Sequence, residues 1–173
     1  GEICVKPLEP YVVFNGYFDD PKATHEAFFG DWYRTGDLGR RDGNTGALFF
    51  VDRKKDAIRY AGRNISTMEV ESVVIRHPDV RDVAAFGIAS ADVEGEHELK
   101  LNVVLQDGTH LTHEDLAGFI NENAPHYFVP RYMEFVDSLP MTPTNKVQKF
   151  KLREAGIGPS TWDLKTSTYQ VKR

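Results

Sequence analysis

Cationic side chains that could meet phosphate or other acidic groups are concentrated in two short segments. One is a charged junction at residues 52–56 (DRKKD). The other is a basic patch around one aromatic ring, made of Lys146, Lys149, Phe150, Lys151 and Arg153. Such a patch is one feature of nucleic-acid-binding modules, and a non-catalytic binding module is therefore one alternative. The chain as a whole is acidic, with 21 Lys and Arg against 26 Asp and Glu and a formal charge of −5, so we expect no nucleic-acid partner.

Residues that could bind a metal or form a disulfide are sparse. His110 and His113 are close together, but no further His or Cys lies at ligand spacing in the sequence, so we predict no metal site. The single Cys4 cannot form an internal disulfide, which is typical of a reducing compartment. We therefore predict a cytoplasmic protein.

The composition is that of a globular protein. Hydrophobic residues make up 40% of the 173 residues and charged residues 27%, which excludes a disordered tail, a fibrous repeat and a disulfide scaffold. The longest apolar runs, 83–89 and 47–51, are far shorter than the ~20 residues that cross a bilayer, so we expect no transmembrane segment. Because residues 2–10 contain charges and prolines, we expect no signal peptide there.

The first part of the chain, residues 1–52, is rich in Gly, aromatic and β-branched residues, which predicts a small β-rich subdomain. Strands are predicted at 3–5, 12–14, 31–38 and 48–52, the last two joined by a turn at 42–46. Asp20 followed by Pro21 predicts the start of a short helix that ends at Ala27.

The second part, residues 53–173, alternates strand and helix patterns, which predicts a compact α+β domain. Hydroxyl and acidic residues with capping-box spacing at 66–69 and 112–115 predict two helix starts. A last helix is predicted at 149–155, after an exposed polar loop at 140–148. Strands are predicted at 57–60, 80–89, 98–105 and 130–136. The predicted fold class is therefore α+β.

Several motifs occur together in a fixed order: YRTGDL (33–38), DRKKD (52–56), RYAGRNI (59–65), EVE (69–71) and LPMTPTNKV (139–147). In order and spacing the chain resembles the C-terminal third of the adenylate-forming enzymes, which include acyl-CoA ligases, peptide-synthetase adenylation domains and beetle luciferases. The resemblance covers residues 1 to about 153. It is greatest to the acyl-CoA ligase branch and, within it, to the crotonobetaine/carnitine-CoA ligase group.

The resemblance implies an ATP-dependent acid–CoA ligase, which activates a carboxylic acid as acyl-AMP and transfers the acyl group to coenzyme A. Charge builds up on phosphate oxygens during adenylation, so placed cations are needed. Lys146 matches the family lysine that reaches the acyl carboxylate and the nucleotide, and is the predicted catalytic residue. Magnesium is expected with ATP, with its ligands outside this chain.

Four further residues match family positions with roles in binding or motion. Asp37 matches the carboxylate that accepts hydrogen bonds from the ribose hydroxyls, and Arg53 matches an arginine near the ribose and phosphates. Lys55 matches the hinge about which a mobile C-terminal lid domain rotates between the two half-reactions. Gly62 matches the glycine that lines the pantetheine tunnel for coenzyme A, where a missing Cβ permits close approach.

The chain departs from the family pattern near the predicted catalytic lysine. Asn145 replaces a usual glycine, and Asn is the non-Gly residue best suited to a left-handed turn. Lys149 stands where the family often has Arg. Glu69 and Glu71 also match the family, but we predict that they are helix-capping and surface charges.

The sequence contains no Gly/Ser/Thr-rich phosphate loop and no acid-binding segment of the family's type. We therefore expect a fragment that lacks the N-terminal domain of the same protein and is inactive alone, and the carboxylic acid substrate is not specified. A second alternative is a peptide-synthetase adenylation domain that serves a carrier protein. The chain ends 27 residues after Lys146 (173 − 146), which favours the CoA ligase.

Overall fold

The computed structural model describes residues 1–172, and the chain divides into two compact units. Unit 1 is Gly1–Lys55 and unit 2 begins at Asp56. This division lies three residues after the predicted boundary at residue 52. That the second unit moves as a separate domain stays a prediction.

Residues 1–55 contain one helix and a four-stranded antiparallel sheet. The elements are β1 (Glu2–Val5), α1 (Pro21–Ala27), β2 (Phe28–Phe29), β3 (Trp32–Arg41) and β4 (Leu48–Arg53). The ten-residue β3 pairs with each of the other three strands. This long strand, which carries the YRTGDL motif, therefore organises unit 1.

Helix α1 begins where the sequence predicts. The Asp20 carboxylate accepts a hydrogen bond of 2.8 Å from the Ala23 amide, and Pro21 occupies the first turn. The predicted strand at 12–14 is wrong, since these residues form no strand. Tyr11 has a left-handed φ of +66° just before them, and the Phe14 ring instead packs against neighbouring aromatic rings.

Unit 2 has two sheets and three helices within residues 56–172. Its elements are β5 (Ile58–Tyr60), β6 (Arg63–Ile65), α2 (Thr67–Val74), β7 (Val80–Ala89), β8 (His97–Leu105), α3 (His113–Asn123), β9 (Tyr132–Phe135), α4 (Lys149–Ala155) and β10 (Trp162–Asp163). The larger sheet has the order β10-β9-β8-β7, in which only the β8–β9 pair is parallel. Together the two units confirm the α+β class.

Both faces of the larger sheet carry buried side chains. On one face a large core unites strand residues such as Leu101 with Val74 of α2 and Ile120 of α3. On the other face a smaller core contains Phe86 and Leu152, the latter on α4. Successive side chains of a strand point to opposite faces, so the strands supply residues to both cores. The smaller core holds α4 and, with it, the end of the loop that carries Lys146.

The segment that follows α4 adds a strand to the sheet, which sequence patterns did not predict. The buried Lys100 donates hydrogen bonds of 2.7 Å to the Glu134 carboxylate and to the Gly156 carbonyl oxygen. Burial raises the pKa of Glu134, but hydrogen bonds from Lys100 and Ser160 outweigh it, so the pKa lies below the usual value. Arg131 likewise pairs with Asp163 of β10. Charged contacts over long sequence distances therefore hold this segment.

The helices of residues 1–172 are short, and α3, with 11 residues, is the longest of them. Among these residues no helix is long and apolar enough to span a membrane.

Candidate functional site

Unit 1 contains an open pocket of about 590 Å³ at one end of β3 and β4. Its lining includes Asp37, Arg53 and Lys55, three of the five predicted site residues, together with Tyr17 and Tyr33. The pocket therefore combines a carboxylate, cations and aromatic rings in one concave surface. This is a composition that suits a nucleotide.

Asp37 and Arg53 are direct partners across the β3–β4 pair. The Arg53 Nε lies 3.8 Å from an Asp37 carboxylate oxygen, and the Arg53 side chain is 59% exposed. Exposed pairs at this distance contribute little to stability. Both groups therefore keep hydrogen-bonding capacity for a ligand.

The backbone before Asp37 is fixed by local hydrogen bonds. The Thr35 hydroxyl donates to the Ile3 carbonyl oxygen at 2.8 Å and accepts from the Asp37 amide at 3.1 Å. Gly36 has a φ of +73°, a conformation that most other residues avoid. The order Thr-Gly-Asp within β3 thus has a physical reason.

Gly62 lies at the tip of the β5–β6 hairpin, where Ala61 and Gly62 both have positive φ, +47° and +73°. A Cβ at Gly62 would meet no atom within 4 Å. In this structure backbone conformation, rather than lack of space, favours glycine here. The tip is exposed, as a contact with a ligand would require.

Glu96 contacts this hairpin, a role that the sequence analysis missed. Its carboxylate oxygens lie 3.4 Å from the Arg59 Nε and 3.4 Å from the Gly62 amide. On the other strand, the Arg63 guanidinium lies 4.9 Å from the centre of the Tyr127 ring. The two arginines that flank Gly62 are therefore engaged by unit 2 itself.

Lys146 lies in an exposed loop that closes on itself. Met141 and Val147 form a bridge at its base, and the Thr142 amide donates to the Lys146 carbonyl oxygen at 2.8 Å. The Thr142 hydroxyl accepts from the Lys146 amide at 3.0 Å. Asn145 has a φ of +58°, which confirms that Asn supplies the left-handed turn. Within residues 1–172 no salt bridge involves Lys146, so a braced loop presents an unpaired cation.

The contacts of Lys149 and Glu71 differ from the sequence predictions. The Lys149 ammonium lies 2.8 Å from the Glu71 carboxylate, which also accepts a hydrogen bond from the Ala85 amide. The prediction of Glu71 as a surface charge is therefore wrong. Because Arg153 also pairs with Asp56, two of the four cations in the basic patch are neutralised. This weakens the nucleic-acid alternative.

In the part of the chain that the structure describes, no group of three His, Cys, Asp or Glu side chains could hold a metal ion. His113 stacks on Phe135 with ring centroids 4.0 Å apart. Burial lowers the pKa of His113, although Glu114 partly offsets the effect. This histidine is accordingly a packing residue.

Comparison with known families identifies part of the chain. Residues 69–146, which end at Lys146, match the AMP-binding enzyme C-terminal domain. This chain carries an AMP-binding enzyme C-terminal domain. The match confirms the adenylate-forming family that the sequence motifs predict. It spans the α2, α3 and β7–β9 core of unit 2.

Relatives and solved structures agree with this domain assignment. A crotonobetaine/carnitine–CoA ligase from Salmonella arizonae is 38% identical over 154 residues, 88% of this chain and 29% of the relative. The amide bond synthetase McbA from Marinactinospora thermotolerans is 36% identical, with a TM-score of 0.69 over 83% of this chain and 29% of that one. The O-succinylbenzoate coenzyme A synthetase MenE from Bacillus subtilis, solved with AMP, is 31% identical, with a TM-score of 0.73 over 88% and 30%.

The chain spans about 29% of the length of the curated relatives it matches. These relatives are CoA ligases. The chain therefore corresponds to less than a third of the length of such a relative.

Proposed function

We propose that this chain is the C-terminal part of an AMP-forming acid–CoA ligase. In the first half-reaction a carboxylate oxygen attacks the α-phosphorus of ATP, and pyrophosphate leaves to give acyl-AMP. In the second, the sulfur of coenzyme A attacks the acyl carbon and AMP leaves, which gives the thioester. The observation that carries the proposal is the unpaired Lys146 on a braced loop of an AMP-binding C-terminal domain.

Lys146 is the proposed catalytic residue of the adenylation step. Its ammonium would neutralise charge that develops between the carboxylate and the α-phosphate, and a preorganised cation needs little rearrangement to do so. The Thr142 contacts support this role because they fix the backbone on both sides of the loop tip. The exposure of Lys146 also supports this catalytic role, since the lysine must enter a site built from other residues.

Asp37 and Arg53 are the proposed ATP and AMP ligands. A carboxylate can accept both hydroxyl protons of a ribose, and the guanidinium of Arg53 can donate to ribose or phosphate oxygens. Their shared pocket in unit 1 supports this pairing. Magnesium is expected to enter with ATP, with ligands outside residues 1–172.

Lys55 and Gly62 are proposed to serve the second half-reaction. Lys55 is the last residue of unit 1, and its position at the division between two compact units supports the proposed hinge. Gly62 is proposed to lie beside the pantetheine chain of coenzyme A, and the exposed hairpin tip supports this. A cytoplasmic enzyme that uses ATP and coenzyme A is consistent with the free Cys4.

The test is Lys146→Ala in the full-length protein that carries this chain. We expect ATP–pyrophosphate exchange to fall by about a hundredfold or more, the loss seen when one preorganised donor is removed. Thioester formation from supplied acyl-adenylate should change far less, because the adenylation step is bypassed. Lys151→Ala is the control. It removes another exposed lysine, which lies seven residues after Thr144 of the loop.

Exchange at the wild-type rate in Lys146→Ala would remove this lysine from the mechanism. Failure of the wild-type protein to exchange pyrophosphate with any of a panel of fatty, aromatic and betaine-type acids would contradict the function itself. The carboxylic acid that gives the fastest exchange identifies the substrate class.

A second candidate is transfer of the acyl group to an amine, which the similarity to an amide bond synthetase favours. Both candidates share acyl-AMP, so pyrophosphate exchange does not separate them. Release of AMP that depends on coenzyme A supports the ligase, whereas release that depends on an added amine supports amide formation.

A further inference from the structure

Lys149, the first residue of α4, makes a pair of half-buried contacts just behind the Lys146 loop. Its ammonium lies 2.8 Å from the Glu71 Oε1 and donates to the Thr67 hydroxyl oxygen at 2.9 Å. The side chains of Lys149 and Glu71 are only 15% and 23% exposed. A charged pair with this little solvent is more sensitive to the loss of one partner than a surface pair.

Glu71 is itself attached to the core of unit 2. The same Oε1 atom accepts a hydrogen bond of 2.8 Å from the Ala85 amide of β7. Residues on both sides of Glu71 in α2, Val70 and Val74, are fully buried. The Lys149 ammonium is therefore tied to a rigid helix and, through Glu71, to the central sheet.

Besides the Lys149 contacts, the packing of Val147 and Leu152 in the smaller core orients α4 and the end of the loop. The helix has seven residues, its N-cap residue Gln148 makes no side-chain capping hydrogen bond, and Leu152 is its one buried residue. The Gln148 amide donates to the Pro140 carbonyl oxygen at 2.8 Å, which joins the two ends of the loop to each other. The loop is thus closed locally, and its direction depends on the packing of Leu139 and Val147 in the smaller core together with the charged contact of Lys149 in the first turn of α4.

We propose that the Lys149–Glu71 contact aims the Lys146 loop, so that Lys149 and Glu71 are positioning residues for adenylation. This inference rests on the proposed function of Lys146. The Lys146 ammonium must contact a carboxylate and a phosphate at the same time. A misplacement of such a group by about 1 Å can lower the rate by about a hundredfold. Neither Lys149 nor Glu71 needs to touch the substrate.

The experiment compares four variants in the full-length protein. Lys149→Met removes the charge, and Glu71→Gln removes the opposite charge but keeps an oxygen for the Ala85 amide. Lys149→Arg keeps a cation at this position. Lys151→Met is the matched control, since it makes the same substitution two residues away on an exposed side chain of the same helix.

We expect Lys149→Met and Glu71→Gln to lower the kcat of pyrophosphate exchange by about tenfold to a hundredfold, with little change in the KM for ATP. Thioester formation from supplied acyl-adenylate should persist, Lys149→Arg should recover exchange, and Lys151→Met should match wild type. The double variant Lys149→Met with Glu71→Gln should lose no more exchange activity than the more strongly affected single variant, because both substitutions break the same contact.

Equal exchange rates in Lys149→Met, Glu71→Gln and Lys151→Met would overturn the inference. Parallel loss of both half-reactions with a lowered melting temperature in Lys149→Met and Glu71→Gln would also overturn it, in favour of a purely structural contact. If Lys146→Ala loses exchange while these two variants keep it, the inference fails alone. If Lys146→Ala keeps exchange, the proposed function of Lys146 fails first and this inference with it.

Discussion

The two units of the chain differ sharply in how they bury apolar side chains. Among residues 1–172, every buried hydrophobic residue lies between Ile58 and Leu152, in unit 2. In unit 1, Asp52 is the one buried residue, although the unit is rich in aromatic residues. Its exposed large side chains include Phe18, Phe29, Phe49 and Phe50. Unit 2 thus has the core of an independent domain, and unit 1 does not.

This difference fits the division of roles that we propose. A domain with its own core can keep Lys146 and its supporting contacts in place while it moves as a body. A 55-residue unit without a core needs other surface to pack against, and the chain covers only about 29% of its curated relatives. We therefore interpret unit 1, which contains the proposed nucleotide pocket, as the unit that depends on further surface for its stability.

The largest expected effect comes from separating the units. Residues 56–173 expressed alone should fold and unfold cooperatively in denaturant, because this segment contains both hydrophobic cores. Residues 1–55 alone should show no cooperative transition, since domains of this size are marginal even with a core. Circular dichroism during urea unfolding measures both. A cooperative transition in residues 1–55 would contradict the comparison.

The next prediction concerns the junction between the units. If Lys55 is the pivot, it needs two backbone conformations, and proline fixes φ near −65° and restricts Lys54 as well. In the full-length protein, Lys55→Pro should therefore preserve pyrophosphate exchange while thioester formation collapses. Both half-reactions are measured separately, together with thermal melting.

Lys55→Ala is the control for this prediction, because it removes the charge and leaves the backbone free. Both half-reactions should persist in that variant. Equal loss of both half-reactions in a well-folded Lys55→Pro protein would reject Lys55 as the hinge and leave Lys146 untouched.

Regular elements with local signals could be predicted from the sequence. The bounds of α1, β7 and α4 agree with prediction to the residue, because caps, β-branched runs and turn residues define them locally. The strand at 12–14 was wrong because its apolar residues pack aromatic rings within a loop. The two-residue β10 was missed because partners such as Arg131 and Lys100, far away in the sequence, hold it.

In the candidate site, too, features with a motif or a local signal could be predicted from the sequence, whereas contacts between distant residues could not. The motifs identified Asp37, Arg53 and Lys146 as candidate site residues. The tolerance of Asn for left-handed backbone angles predicted the turn at Asn145. The partners of Glu71 and Glu96 were not predictable, since Lys149 lies 78 positions after Glu71 (149 − 71) and Glu96 reaches the hairpin from another loop. The roles of Asp37, Arg53, Lys55, Gly62 and Lys146 stay predictions.

Matched substitutions of phenylalanine make the comparison of the two units quantitative. Phe86 in unit 2 is fully buried, whereas Phe50 in unit 1 is 50% exposed. In the 173-residue chain, Phe86→Ala should lower the free energy of unfolding by about 3–5 kcal/mol, because it leaves a cavity. Phe50→Ala should change it by no more than about 0.5 kcal/mol. A cost for Phe50→Ala close to that for Phe86→Ala, measured in urea, would show a core in unit 1.

The smallest expected effect is a difference between the two units in how their histidines make stability depend on pH. His113 stacks with the rings of Phe135 and Trp162, and burial lowers its pKa, with a partial opposing effect of Glu114. Above about pH 6.5, the ordinary value, histidine is neutral in both the folded and the unfolded chain, and this contribution to stability is fully present. As the pH falls below that value, the unfolded chain binds the proton first, so stability decreases until the pH reaches the lowered folded pKa.

His113→Phe keeps an aromatic ring in the stack and should remove this dependence of stability on pH. His25→Phe, on the exposed surface of α1, should keep it. Urea unfolding of the three proteins between pH 7 and pH 5 measures the slopes, and an unchanged slope in His113→Phe would assign the pH response to other groups.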